Sequence, residues 1–371
     1  MIHLLGIVAG VVLLFAILLE AFEMIVLPRT AGRELRLSRY SGLFTWSLWT
    51  RIAQRIPSVS RREYFLSCFA PMQMPAILAM WASGLIVSFG LLFWGLREPF
   101  NGTVSESQFG TYCYFSGVTF FTLGYGDLTF KTGFGRFLGV VEAGFGLGFL
   151  AVIIGYFPVL YGAFSRREVS ISLLDARAGT PPTASEFLRR HSSRDDLASI
   201  PEILRDWEHW SAELLESNLS YPVLAMYRSQ HDRESWLSAL TVILDVCALL
   251  MTGVDGVTMG QAKLTFAMAR HAAIDTGLVY DVKPVPPQID RLPPDRVARL
   301  REILKSAGIP LAEGTESDEM LLEYRRLYEP YVNALSLRFL MELPPWIPEP
   351  GAVDNWQTSA WNRQTKRDLH F

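Results

Sequence analysis

Three long apolar segments constrain the fold of this chain more than any other feature of its sequence. They occupy residues 4–19 (continuing less purely to Leu27), 75–96 and 134–161. Each approaches or exceeds the ~20 residues that a helix needs to cross ~30 Å of hydrocarbon. Half of the 371 residues are hydrophobic and the mean hydropathy is +0.21, a composition typical of membrane segments joined to a soluble part. The sequence therefore predicts an all-α membrane protein.

The first apolar segment is predicted to be a retained transmembrane helix, within residues 1–27, rather than a cleaved signal peptide. It lacks a basic N-terminal region, and no cleavage site made of small residues follows it. Glu20 and Glu23, with the arginines that come next, are typical of the cytoplasmic end of such a helix.

The distribution of arginines predicts the orientation in the membrane. Residues 28–72 contain eight arginines and two acidic residues, which the positive-inside rule assigns to the cytoplasm. We therefore expect the N-terminus outside a bacterial inner membrane and the C-terminal part of the chain inside. Between residues 43 and 56, apolar and aromatic residues interleave with Arg51 and Arg55. This pattern predicts an amphipathic helix on the inner membrane face, and a packed cytoplasmic helix pair is the alternative.

Residues 122–127, between the second and third apolar segments, read Thr-Leu-Gly-Tyr-Gly-Asp. Backbone carbonyls can replace the water shell of a bare cation if successive residues hold unusual backbone angles. Gly124 and Gly126 supply such angles, because glycine adopts positive φ without steric cost. A tight surface turn is the alternative. The predicted cation ligands are the carbonyl oxygens of Thr122, Leu123, Gly124 and Tyr125, in a filter strand that extends through Gly126.

The residues around this strand have predicted supporting roles. The Thr122 hydroxyl adds a further ring of oxygens, and the Tyr125 ring points away from the ion and braces the strand. Asp127 places a negative charge at the outer mouth, where it attracts cations. Residues 106–121 are too short to cross the membrane and suit a re-entrant pore helix, whose C-terminal dipole end favours a cation.

The third apolar segment is rich in glycine and contains the ionisable residue Glu142. Gly146 lies near its middle and is the candidate hinge of a pore-lining helix, while close packing against a neighbouring helix is an equally supported alternative. Glu142 is a candidate functional group because charges are costly inside a membrane. The simpler prediction is that Glu142 braces the pore helix.

A longer motif contains the filter strand: Tyr114-Phe115-Ser116-Gly-Val-Thr119-Phe-Phe-Thr122-Leu-Gly124-Tyr125-Gly126-Asp127, followed by a glycine-bearing helix. Residues 75–161, about a quarter of the chain, thereby resemble the pore module of prokaryotic two-helix potassium channels. The resemblance implies a homotetramer, since one strand per chain must be repeated four times to close the filter. It also implies permeant potassium as the bound ion, with no cofactor. The chain departs from the family in lacking its usual pore-helix tryptophans and in having Leu123 where valine is commoner.

Residues 165–343 are numerous enough to form a domain with its own core, predicted to be a cytoplasmic helical bundle. We read residues 236–254 as a buried core helix rather than a fourth membrane span, because Asp245 lies at the centre. The proline-rich residues 283–295 are predicted to be an extended linker and residues 344–371 a flexible tail. Apolar residues recur at helical spacing in residues 201–217, 234–251, 259–278, 295–307 and 318–343.

The sequence thus predicts a passive, potassium-selective channel without enzymatic activity, gated by an unidentified stimulus or cytoplasmic ligand. A weakly selective cation channel and a membrane receptor or adaptor with a pore module as scaffold are the alternatives. The net charge of −3 does not indicate nucleic-acid binding, and the histidines are scattered rather than spaced as metal ligands. The predicted divisions are residues 1–27, 28–72, 73–164 (outer helix 75–96, pore helix 106–121, filter 122–127, inner helix 134–161), 165–343 and 344–371.

Overall fold

The structure is a computed structural model that describes residues 1–25, 37–101, 108–229, 234–254 and 259–349. Within these ranges the chain is an all-α membrane fold, divided into two compact units at residues 162 and 163. The first unit contains α1 (Ile2–Ile25), α2 (Leu37–Ala53), α3 (Val59–Ser67), α4 (Phe69–Leu96), α5 (Phe109–Phe120) and most of α6 (Gly133–Ala178). The second contains the end of α6, then α7 (Ala184–Arg190), α8 (Arg194–Ser220), a 3-10 helix (Pro222–Met226), α9 (Trp236–Gly253), α10 (Met259–Val279), α11 (Pro294–Ser306) and α12 (Thr315–Phe339). Within the described residues, four helical stretches are long and apolar enough to cross a membrane: Ile2–Ile25, Ser60–Leu96, Gly133–Ala178 and Trp236–Gly253.

Glycines let α1 pack closely along α4. A Cβ atom added at Gly10 would lie 2.8 Å from the backbone oxygen of Ser88, and one added at Gly95 would lie 2.8 Å from the backbone oxygen of His3. The His3 ring packs on Trp94 with the ring centroids 4.7 Å apart. Small residues at such contacts allow membrane helices to approach backbone to backbone. The N-terminal helix is therefore an integral part of the first unit.

Aromatic side chains join α2, α3 and the start of α4. Trp49 stacks on Phe65 with ring centroids 4.3 Å apart, and its indole N–H donates to the Phe65 carbonyl oxygen at 3.0 Å. Trp46 is buried and packs edge-on against Phe69. The predicted helix around residues 43–56 is therefore α2, packed on α3, and its position at the membrane surface stays a prediction.

The pore-domain helices differ from the predicted ranges at their ends. α4 begins at Phe69, which is before the predicted start of the outer helix. α5 lies inside the predicted pore helix of residues 106–121, and residues 102–107 lie outside the described residues. The buried core of the first unit is centred on α4, where it packs against α1 and α5, and α6 adds partly buried side chains.

α6 is one helix of 46 residues that continues beyond Tyr161, its predicted end, to Ala178. It ends where Gly179 takes a φ of +83° and donates its N–H to the carbonyl oxygen of Asp175 at 2.9 Å. Pro181, two residues further on, cannot continue a helix. The stop signal is therefore this glycine and proline pair rather than the end of the apolar segment.

α9 is the centre of the second unit. Seventeen of its eighteen residues are buried, with α7, α10 and α12 packed around it. Asp245 at its midpoint pairs with Arg291 at 2.6 Å, and Arg291 also lies 3.3 Å from a carboxylate oxygen of Glu329. The apolar side chains of α9 are thus buried inside the second unit, as expected for a core helix.

Residues 344–349 differ from the predicted flexible tail. The Trp346 side chain is fully buried, and the guanidinium carbons of Arg291 and Arg325 lie 5.6 and 5.7 Å from its ring centroid. This packing holds the chain against the second unit beyond the end of α12. The rest of the predicted tail, residues 350–371, lies outside the described residues.

A group of carboxyl side chains lies between the end of α6 and the segment that precedes α9. Glu168 and Asp175 of α6 are buried, and Glu234 lies within hydrogen-bonding reach of Asp175. Arg167 pairs with Glu168 at 3.1 Å and donates to the carbonyl oxygen of Leu224 at 2.7 Å. Burial raises the pKa of the Glu234 carboxyl to about 8, and the two neighbouring carboxylates add to that shift.

Candidate functional site

The end of α5 turns the chain sharply into residues 122–127. The Thr122 N–H donates to the carbonyl oxygen of Thr119 at 3.0 Å, and the Leu123 N–H donates to that of Val118 at 2.9 Å. Helix C-termini leave carbonyl groups without partners inside the helix. These two bonds satisfy such groups and fix the direction in which the strand leaves the helix.

The backbone φ angles of this strand alternate in sign. Thr122, Gly124 and Gly126 hold φ angles of +55°, +60° and +74°, while Leu123 and Tyr125 keep the negative sign usual for L-residues. Glycine makes two of these positions free of strain. A non-glycine residue with positive φ costs of order 1–3 kcal/mol and persists where the surroundings impose it. The sequence predicted the two glycine positions but not the strained Thr122.

The side chains of the strand are mostly exposed on the single chain. Leu123 is 53% and Tyr125 66% exposed, so the bracing contact predicted for the Tyr125 ring is not made within one chain. Asp127 instead accepts a hydrogen bond of 2.9 Å from the hydroxyl of Tyr114 on α5. This contact ties the outer end of the strand to the pore helix. The sequence did not predict this contact between Tyr114 and Asp127.

Glu142 joins three helices. Its carboxyl group is fully buried and accepts a hydrogen bond from the Ser116 hydroxyl on α5. The Ser116 Oγ also lies 2.8 Å from the carbonyl oxygen of Ile86 on α4. The other carboxyl oxygen of Glu142 has no hydrogen-bond partner among the described residues. The contact with Ser116 is the one that the predicted bracing role requires.

Gly146 of α6 lies close to the backbone at the end of α5. A Cβ atom at this position would lie 1.9 Å from the carbonyl oxygen of Phe120 and 2.8 Å from its carbonyl carbon. One turn further along α6, the ring of Phe149 packs on that of Phe120 with centroids 5.7 Å apart. The geometry supports the packing alternative for Gly146, while its role as a hinge stays a prediction.

The loop that follows the strand is fastened to the end of α4. Phe100 stacks on Phe130 at a centroid distance of 4.9 Å and an interplanar angle of 13°. The carboxylate of Glu98 accepts a hydrogen bond from the Thr132 hydroxyl. The backbone carbonyl oxygen of Glu98 accepts a second one, of 3.0 Å, from the Tyr112 hydroxyl. The strand is thus held between two fixed ends, α5 before it and this cluster after it.

Comparison with known families shows which kind of protein has this arrangement. Residues 77–160 match a family model described as an ion channel. The first unit therefore contains a segment that is similar to an ion-channel family. The matched range begins in α4, includes α5 and residues 122–127, and ends in α6. No curated protein and no solved structure matches the chain.

Among the described residues, no group of three or more histidine, cysteine, aspartate or glutamate side chains is placed to hold a metal ion. His271 and Asp275, which share a face of α10, lie 3.2 Å apart at the surface. These contacts fit an ordinary surface hydrogen bond.

Proposed function

We propose that this chain is one subunit of a homotetrameric, potassium-selective channel of a bacterial inner membrane. Transport is passive and follows the electrochemical gradient, with the N-terminus outside and the second unit in the cytoplasm. The observation that carries the proposal is the backbone of alternating hand at Thr122, Gly124 and Gly126, at the end of a pore helix in an ion-channel domain.

The chemistry of the strand supports potassium as the permeant ion. Filters that select potassium replace the hydration shell of the ion with rings of backbone carbonyl oxygens. Alternation of the backbone hand turns successive peptide planes so that their carbonyls share one side, whereas in a β-strand they point to opposite sides. Selectivity then depends on residues 122–125 through their backbone, and the replacement of valine by Leu123 leaves the ligand atoms unchanged.

The exposed face of α6 supports the fourfold assembly. Four apolar side chains of α6 recur at three- and seven-residue intervals, and each is 61–72% exposed on the single chain: Phe137, Val140, Leu147 and Ile154. A contiguous apolar face of this kind marks a surface that another copy, the membrane or a pore covers. Four such helices around one axis would place the four filter strands together and leave part of this face to line the conduction path.

Charges at the two ends of the strand favour a cation. At the inner end, the C-terminus of α5 carries the negative end of the helix dipole, which stabilises positive charge. At the outer end, Asp127 accepts a hydrogen bond from the Tyr114 hydroxyl and forms no salt bridge with the basic residues that the structure describes. Its charge therefore remains effective in raising the local concentration of cations.

Rubidium flux into liposomes that contain the purified protein tests the proposal. We expect flux that barium blocks and that greatly exceeds the flux of sodium. Gly124→Ala should abolish it, because alanine is strained at the φ of +60° that the strand requires. Gly133→Ala is the matched control, since a Cβ atom there meets only open space within 4 Å on this chain and the residue does not have positive φ.

Each other outcome has a definite meaning. Sodium flux equal to that of rubidium would replace the proposal with a weakly selective cation channel. Flux that survives in Gly124→Ala would show that residues 122–127 do not form the filter. An assembled protein that passes no ion under any ligand, voltage or membrane tension would favour a receptor or adaptor.

A further inference from the structure

An apolar space in the first unit lies between α1, α4 and α6. It is a cavity of about 470 Å³ among the described residues. Its walls are hydrocarbon side chains, aromatic rings and glycines, with Ile17 on α1, Trp81 on α4 and Phe149 on α6. The volume falls within the ~300–1,000 Å³ typical of ligand pockets.

The length of the cavity matches one leaflet of a bilayer. Along α6 it extends from Val141 to Val152, which is about 16 Å at 1.5 Å per residue. One leaflet contributes about half of the ~30 Å hydrocarbon thickness. Along α1 the cavity reaches Ile25, the last residue of that helix and the end closest in sequence to the arginine-rich residues 28–72. A hydrocarbon chain that entered from that leaflet would therefore lie along most of the cavity.

The lining selects hydrocarbon rather than a charged or strongly polar ligand. Among the described residues that line the cavity, Trp81 is the only one with a polar side-chain atom, and its indole nitrogen is buried with no hydrogen-bond partner among those residues. An apolar cavity does not hold water, because water needs two or more polar partners. The space can be filled at depth in a membrane only by hydrocarbon or by a side chain from another copy.

We infer that this cavity is a binding site for one acyl chain of a phospholipid from the leaflet on the side of residues 28–72. The acyl chain lies between α1 and α6, against Gly144 and Gly148. A Cβ atom added at either glycine would meet nothing within 4 Å. Phe149 forms one wall of the site and packs on Phe120, two residues before Thr122. The acyl chain therefore contacts the side chain that supports the inner end of the filter strand.

Tryptophan fluorescence in lipid nanodiscs tests the site without measuring ion flux, so its failure is separable from failure of the proposed potassium selectivity. The nanodiscs contain phosphatidylglycerol with bromine atoms at the middle of one acyl chain, which quench tryptophans that they contact. The quenching due to Trp81 is the difference between the protein and its Trp81→Phe variant. We expect Gly148→Leu, which fills the cavity, to remove most of this difference, and Gly155→Leu to retain it. Gly155 is the matched control because its Cβ direction is equally open but it does not line the cavity.

Two results would overturn the inference. If Trp81 is not quenched, the acyl chain does not enter the cavity. The same conclusion follows if the quenching persists unchanged in an assembled Gly148→Leu protein. A cryo-EM map of the unaltered protein in the same nanodiscs decides the question without any variant. Bromine density between Ile17 and Gly148 supports the site, and a side chain from a second copy in that space excludes it.

Discussion

Replacing Gly146 with alanine tests whether the close approach of α6 to α5 determines the stability of the pore. The added Cβ atom would lie 1.9 Å from the carbonyl oxygen of Phe120, whereas ordinary van der Waals contact begins at 3.4 Å. Because the clash is with backbone at the end of a helix, rotation of a side chain cannot relieve it. The two helices must separate locally by about 1.5 Å to reach ordinary contact.

The expected cost follows from this displacement. Overpacking of a well-packed interior typically destabilises a protein by ~1–3 kcal/mol, and the rigid neighbour places Gly146→Ala toward the upper end of that range. The better helix propensity of alanine acts in the opposite direction by up to ~1 kcal/mol and does not cancel the loss. Since Phe120 lies two residues before Thr122, the same shift displaces the inner end of the strand and should reduce rubidium flux.

The assay is the fraction of assembled protein that survives heating in detergent, measured by size-exclusion chromatography. Gly144→Ala and Gly155→Ala are matched controls on the same helix, because a Cβ atom at either position meets nothing within 4 Å on this chain. We expect a lower midpoint temperature for Gly146→Ala alone. Stability equal to that of the controls would refute the packing argument. Equal stability with altered flux would favour the hinge.

Three further predictions concern other buried groups. The pKa of Glu234 is raised above its ordinary value, to about 8, so its stabilising contribution is complete below about pH 4.5 and is lost as the pH rises through about 8. Thermal stability should therefore fall between about pH 5 and pH 8 and level off above that range, and it should fall less in Glu234→Gln; equal slopes would contradict the assignment. Arg291→Ala should destabilise the protein by ~3–5 kcal/mol, because it leaves the buried Asp245 carboxylate without its charged partner. The control Arg299→Ala, at an exposed ion pair, should cost below ~1 kcal/mol. Similar unfolding temperatures for the two variants would refute this prediction. Glu142→Ala should reduce the yield of assembled protein on size-exclusion chromatography. Glu142→Gln should restore the yield, because the amide oxygen can still accept the hydrogen bond from Ser116. Failure of glutamine to restore assembly would argue against the bracing role.

Sequence patterns predicted most helices of this chain because both membrane spans and amphipathic helices leave periodic signals. The helix ends were less predictable, since they depend on single residues such as Gly179, where α6 stops well beyond its apolar segment. The packing of Trp346 could not be predicted either. Its proline-rich surroundings indicate a mobile segment, and only the tertiary position of Arg291 and Arg325 makes a buried site for its ring.

The sequence by itself determined the membrane fold and the candidate filter, because hydrocarbon thickness requires long apolar helices and positive φ favours glycine at positions 124 and 126. Only the tertiary structure decided what holds that strand in place. The Tyr114 to Asp127 hydrogen bond joins α5 to the outer end of the strand, and the contact of Gly146 joins α6 to the end of α5. Such contacts leave no periodic signal in a single sequence, because each depends on how two elements approach in space rather than on the spacing of residues along one of them.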